Sequence, residues 1–195
     1  MKNQKLLSFF TSDKSVFIRF FLILTSCSVT FSTLCTYAQD IKHTEHQIKS
    51  AFIYNFAKFV YWPDESNDST LTLYVIGEAS FYAALDTIEG KIIRGKTLQI
   101  KHIKSLRNIK DCDMLFITSA EKDNLENLIN PIRGSSILTI GDTKGFAERG
   151  VMINLYIEEE RVRFEINVEA ASQAGLEISS QLLKLAKIVT SNSKQ

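Results

Sequence analysis

The groups in this chain that could do chemistry are few and scattered. His43 and His46 stand three residues apart near the start of a predicted helix. That spacing suits two ligands on one helical face, but no cysteine or carboxylate cluster joins them, so no metal is assigned. His102 follows Lys101 on a predicted strand and reads as a surface side chain. Gly77 and Gly141 close two apolar runs. Neither belongs to a G-x-G-x-x-G sequence, so they read as ordinary turns, and no dinucleotide or other cofactor is expected. No G-x-S-x-G or Walker sequence is present. Ser119, Asp142 and Glu148 could converge only through tertiary structure. No catalytic residue is assigned, and on these residues alone a binding module is favoured over an enzyme.

Two groups of residues remain as candidate binding sites. Open α/β sheets hold ligands beyond the carboxyl ends of their strands. Here those ends carry Gly77, Glu78, Ser119, Gly141 and Asp142, a candidate crevice for a small molecule. The second group lies on a hairpin, where Arg161, Arg163 and Glu165 share a polar face. A cross-strand ladder of charges is the plain reading of that face, and a partner contact is the alternative.

These groups must be positioned by regular elements, and the segment from Gly145 to Val189 is the most legible. Val151, Ile153, Leu155 and Ile157 alternate with polar or outward residues, as do Val162, Phe164 and Ile166. The period of two marks paired strands around a solvated Glu158-Glu159-Glu160 turn. Matching apolar faces requires an even loop, and the expected register sets Leu155 opposite Val162 and Ile153 opposite Phe164. Asn167 suits a helix N-cap and Gly175 the C′ position that follows. Ser179 is placed to cap a last helix whose apolar stripe is Ile178, Leu182, Leu185, Ala186 and Val189.

Earlier in the chain, Thr44 and Gln47 form a capping box for a helix expected to run to Trp62, before Pro63. Ile48, Ala51, Phe52, Phe56, Phe59 and Trp62 fall on one side of it. Ile53, Ala57, Val60 and Tyr61 fall on the other, with Tyr54 at the edge. A helix apolar all round is either sandwiched or presents a binding surface. Continuous apolar strands are expected at Leu71–Ile76, Thr97–Ile103, Met114–Thr118 and Ile137–Ile140, separated by helices near Ser80–Gly90 and Glu121–Asn130. Strands of this kind belong to a mainly parallel sheet covered on both faces. The expectation is a three-layer α/β domain with a C-terminal antiparallel hairpin followed by two helices.

Residues 1–38 combine Lys2, Lys5, Lys14 and Arg19 with a short apolar centre and the small-residue exit Thr36-Tyr37-Ala38. This reads as a signal peptide cleaved after Ala38, leaving 39–195 as one exported domain. Leu24-Thr25-Ser26-Cys27 also resembles a lipoprotein processing site, ranked second because the preceding apolar run is short. The whole chain has 23 basic and 22 acidic side chains; the first 38 residues hold four of the former and one, Asp13, of the latter. The remaining 19 and 21 give a net charge of −2 with no basic block, which excludes a nucleic-acid footprint. Cys112 alone remains, so no internal disulfide forms, and its apolar neighbours mark it as buried.

Two stretches carry a resemblance. KSAFIYNFAKFVYWP, from Lys49 to Pro63, is similar to one motif of the YfiR family of bacterial periplasmic regulators. The GVMINL, VRFEIN and AGLEISSQLLKLA runs after Gly145 are similar to that family's closing segment. The resemblance implies the same α/β fold and a regulatory binding protein in the periplasm. Such proteins repress a membrane-bound diguanylate cyclase by binding its periplasmic domain and are titrated by an outer-membrane lipoprotein. Other membrane receptors, histidine kinases among them, are open as partners, and so is a homodimer. The expected partner surface is Ile53, Tyr54 and Tyr61 on the first helix, with Arg161 and Arg163 on the hairpin. A periplasmic small-molecule binder or enzyme using the strand-end crevice is the alternative.

Overall fold

The computed structural model describes residues 44–63, 68–107, 109 and 111–191. The expected signal peptide and the Cys27 site lie outside them. Helix α1 covers 44–59 and gives way to a short strand β1, Val60–Tyr61. The helix stops three residues earlier than expected, because Val60 and Tyr61 pair antiparallel with β9, Glu177–Ile178. The residue before Pro63 also disfavours helical backbone.

The main sheet contains β2 (Thr70–Ile76), β3 (Ile92–Ile93), β4 (Lys96–Ile103), β5 (Met114–Ile117), β6 (Leu138–Gly141), β7 (Ile153–Glu158), β8 (Arg161–Asn167) and β10 (Lys187–Val189). Their spatial order is β10-β8-β7-β6-β5-β2-β4-β3. Strands β4, β2, β5, β6 and β7 are mutually parallel, whereas β3 and β8 pair antiparallel with β4 and β7. The chain leaves β2 for β4 on one side and then returns to β5 on the other, so the strand order reverses between β2 and β5.

The apolar runs divide between two faces, as strand geometry demands. Leu73, Val75, Met114 and Phe116 face a core shared with Ile53, Phe56 and Ala57 of α1 and with α4, Val168–Gln173. Tyr74, Ile76, Leu115 and Ile117 face the other core, built with α3, Leu125–Ile129, and with Phe146 and Val151. A single turn of helix, α2 (Tyr82–Leu85), completes the first layer. The result is a three-layer α/β arrangement with a mostly parallel sheet.

Three local expectations need correction. The hairpin register is Leu155 opposite Phe164 and Ile153 opposite Ile166, two residues from the expected pairing. The loop is even, as face matching requires, but it consists of Glu159-Glu160, both left-handed at φ 49° and 60°. The final helix is only α5, Ser180–Leu183, with the Ser179 side chain accepting from the Gln181 amide. Beyond it the chain extends as β10 along the open edge of β8, and Leu185 of the expected stripe is 76% exposed. By contrast, the Asn167 side chain caps α4 by accepting from the Ala170 amide, and Gly175 follows that helix at φ +71°.

Candidate functional site

The expected crevice residues gather at one end of the sheet, where several of them are held by neighbouring groups. Gly77 and Glu78 leave β2 beside Thr118 and Ser119, which leave β5, where the strand order reverses. There the Glu78 amide donates to the Thr118 hydroxyl at 2.8 Å, and the Thr118 amide donates to the Ile76 carbonyl at 3.1 Å. Gly77 is glycine for this packing: its φ is +115°, and a Cβ would fall 2.0 Å from Thr118 Oγ1. Gly141 is equally constrained, since a Cβ would meet Phe146 at 2.7 Å and Asn154 Oδ1 at 2.8 Å.

The first turns of α1 cover the same end. His46 is buried, stacks on Phe81 at 4.1 Å between ring centroids, and lies 3.3 Å from the Ser80 carbonyl through Nδ1. Lys49 is buried as well, with its ammonium 2.6 Å from Glu45 and 3.5 Å from Asp142. Burial raises the Asp142 carboxyl above its ordinary range, while the charge and hydrogen bond of Lys49 pull it back. Further along, Asn154 donates to Glu165 at 3.0 Å, and Lys187 lies 3.8 Å from the other Glu165 oxygen. Glu165 is therefore buried rather than part of an exposed hairpin ladder. Ser119 stays exposed, apart from these contacts. His43 lies outside the described residues, within which no group of three His, Cys, Asp or Glu side chains could hold a metal.

The expected partner residues separate into two regions. Ile53 is a correction: it is 0% exposed within the first core, because the α1 face bearing Ile53, Phe56 and Ala57 is the one laid on the sheet. Arg161 and Arg163 are exposed on β8, opposite Glu158 and Tyr156, at the carboxyl end of the parallel strands. Tyr54 and Tyr61 lie at the other end. The Trp62 indole there donates to the carbonyl of Asp113, the residue that leads into β5, at 3.3 Å.

That amino-terminal end holds what sequence reasoning missed. Trp62 borders a small cleft, open to solvent, whose lining includes Ala57, Leu71, Ile93, Arg94, Lys96 and Asp113. Asp113 secures its wall, with its carboxylate accepting from the Thr72 amide at 2.6 Å. Burial raises the Asp113 carboxyl, which the Thr72 hydrogen bond and the Lys96 charge partly offset. Beside the cleft, Arg94 donates to the Val60 carbonyl at 3.0 Å, its guanidinium 4.3 Å from the Tyr61 ring centre. Lys58 and Lys91 lie 3.9 and 5.3 Å from the Tyr54 ring, whose hydroxyl donates to the Ile92 carbonyl at 3.2 Å. Arg94-Gly95 forms the two-residue turn between β3 and β4, but its arginine is not one of the residues that mark such a turn in a sequence.

Against known proteins, the model of the YfiR/HmsC-like family matches residues 46–187. The chain belongs to that family. A search of curated proteins finds no match. Among solved structures, a conserved domain protein from Vibrio cholerae O1 biovar El Tor is similar with TM-score 0.53 and 13% identity. The match covers 71% of this chain and 59% of that one. An ABC domain in complex with L-Trp from Streptococcus pneumonia matches at TM-score 0.46 and 12% identity, over 61% of this chain and 55% of that one. This chain thus spans under two thirds of either structure, and at these identities the first of them bears on the fold alone.

Proposed function

We propose that this YfiR/HmsC-like protein is an exported regulator that binds the extracytoplasmic domain of a membrane signalling enzyme and holds it inactive. The observation that carries this reading is the family match over residues 46–187, which points to a periplasmic regulator of cyclic-di-GMP signalling. The favoured target is a diguanylate cyclase, with an outer-membrane lipoprotein as antagonist. No described helix is long and apolar enough to cross a membrane. In this reading repression works by occupancy of the partner. A competing ligand or protein relieves repression only by favouring the free state over the complex.

The polar groups at the carboxyl ends of the strands bind one another, which supports a binding role over catalysis. Tyr54 and Tyr61 are retained as partner residues, and Arg161 and Arg163 as a separate exposed region. Deleting the gene is expected to raise cellular cyclic-di-GMP and surface attachment, both restored by the wild-type gene. Unchanged cyclic-di-GMP on deletion, together with no binding of purified protein to the cyclase's extracytoplasmic domain, overturns the proposal.

A further inference from the structure

We infer that the surface formed by the end of α1, β1 and the β3–β4 turn docks an acidic protein segment that seats one bulky apolar side chain in the Trp62 cleft. This rests on the regulator reading above and names the chemistry its partner would present.

The β3–β4 turn is the two-residue pair Arg94-Gly95 at φ 50° and 84°. Glycine accepts that backbone freely, whereas a side-chain-bearing residue is disfavoured there. The unfavourable position places an arginine against Tyr61, where asparagine or glycine would close the turn more easily. Strain of this kind clusters at functional surfaces.

Exposed apolar area and cations interleave here: Ile92 is 57% and Tyr61 42% exposed, beside Lys58, Lys91 and Arg94. The Lys58 and Lys91 side chains lie over the Tyr54 ring, so their ammoniums can meet carboxylates while their stems cover the aromatic. Aromatic residues and arginine are also the side chains that dominate interface energies.

The cleft selects what enters it. Buried Ala57, Leu71 and Ile93 are apolar, and Trp62 is the aromatic of the lining. Asp113 in the wall is offset by Lys96 and Arg94 of the same lining, so the cleft holds no unopposed cation to draw in an acid and its apolar part favours an apolar side chain. The segment's acids must therefore flank the cleft while an apolar side chain fills it. A second copy of this chain could offer Glu158-Glu159-Glu160 and the exposed Ile157, but from the opposite end of the sheet. Such a contact is heterologous and gives rings or open chains rather than a two-fold pair, and the occupant assigned is a different protein.

The test uses the chain from Gln39 onward and a short labelled peptide with glutamates around a single phenylalanine, read by fluorescence anisotropy. Binding is expected to weaken at least about tenfold in Lys58→Glu/Lys91→Glu and in Ile92→Asp, with unchanged melting temperature. It should also weaken when the peptide's phenylalanine becomes alanine, and with added salt. Equal binding by the charge-reversed protein, or by a peptide with lysines for glutamates, overturns the inference. So does salt-sensitive binding to phosphatidylglycerol vesicles without peptide binding. Concentration-dependent self-association abolished by Glu159→Lys/Glu160→Lys would assign the surface to a second copy instead. In cells, a folded Lys58→Glu/Lys91→Glu protein that fully restores repression overturns this surface and leaves the regulator reading standing. If deletion has no effect on cyclic-di-GMP, the regulator reading fails and the peptide result alone decides the surface.

Discussion

Lys49→Met is the substitution that most directly tests how the carboxyl end of the sheet is held together. The Lys49 and Asp142 side chains are only 5% and 6% exposed, with 3.5 Å between ammonium and carboxylate. The second carboxylate on Lys49, that of Glu45, is 31% exposed. Removing the ammonium lets Glu45 turn to water, but Asp142 cannot follow. Unpairing one buried charge costs about 3–5 kcal/mol, a fall in melting temperature of about 10 °C for a domain of this size. The loss should depend on pH. Burial already raises the Asp142 carboxyl and Lys49 opposes that rise, so without Lys49 it moves further up. A carboxyl raised in the folded state favours folding when protonated, and loses that contribution as pH climbs through the folded pKa. The deficit of Lys49→Met relative to wild type is therefore greatest near neutral pH and shrinks as the solution is acidified. Lys49→Met/Asp142→Asn should recover most of the stability and lose this pH dependence, because neither charge is then stranded. Urea unfolding of the three proteins at neutral and mildly acidic pH decides the matter. A Lys49→Met loss below about 1 kcal/mol, the same at both pH values, would show that Asp142 is hydrated and the end of the sheet open.

The remaining predictions concern the hairpin, the core and the cysteine. Glu160→Gly should stabilise the protein by about 1 kcal/mol in chemical denaturation, because it relieves a left-handed residue in the β7–β8 turn. Phe164→Ala should cost about 3–5 kcal/mol by the same measurement, since its ring packs against those of Phe52 and Phe56, 5.8 and 5.1 Å away between centroids. Cys112 should resist a thiol reagent at mildly alkaline pH until urea unfolds the chain. Burial first, and then the neighbouring Asp113, push its thiol up to about 12.

What could be read in advance depended on whether the signal was local. Leu71–Ile76 and Met114–Ile117 were legible because a strand buried on both faces is apolar throughout. Asn167 and Gly175 were legible because caps are set by residue type. The hairpin faces could be read but the register could not: any even loop matches apolar to apolar, so registers two residues apart are degenerate. The choice is made by two glutamates in left-handed backbone, and glutamate is no turn signal. The stripe from Ile178 to Val189 fits a helix on spacing alone, yet Lys187–Val189 are drawn out as a strand by the free edge of β8. That competition is tertiary and leaves no trace in the segment itself. The Trp62 cleft was illegible for a related reason, since Trp62, Leu71, Arg94 and Asp113 come from separate segments.

The two ends of the sheet divide the work. At the carboxyl end, where a fold of this order offers a crevice, Thr118 bridges the reversal point and Lys49 neutralises Asp142. Asn154, Glu165 and Lys187 satisfy one another alongside. Among the described residues no buried side-chain nitrogen or oxygen lacks a partner. A group already held by its neighbours loses those bonds before it can serve a ligand. The amino-terminal end is built the other way round. Lys58, Lys91 and Arg94 lie against tyrosine rings at the surface, and Ile92 stays exposed although a deeper apolar cleft lies beside it. An interface formed there would add apolar contact and charge pairing without dismantling either core. A regulator that must bind, release and remain folded between the two states requires a surface of that kind.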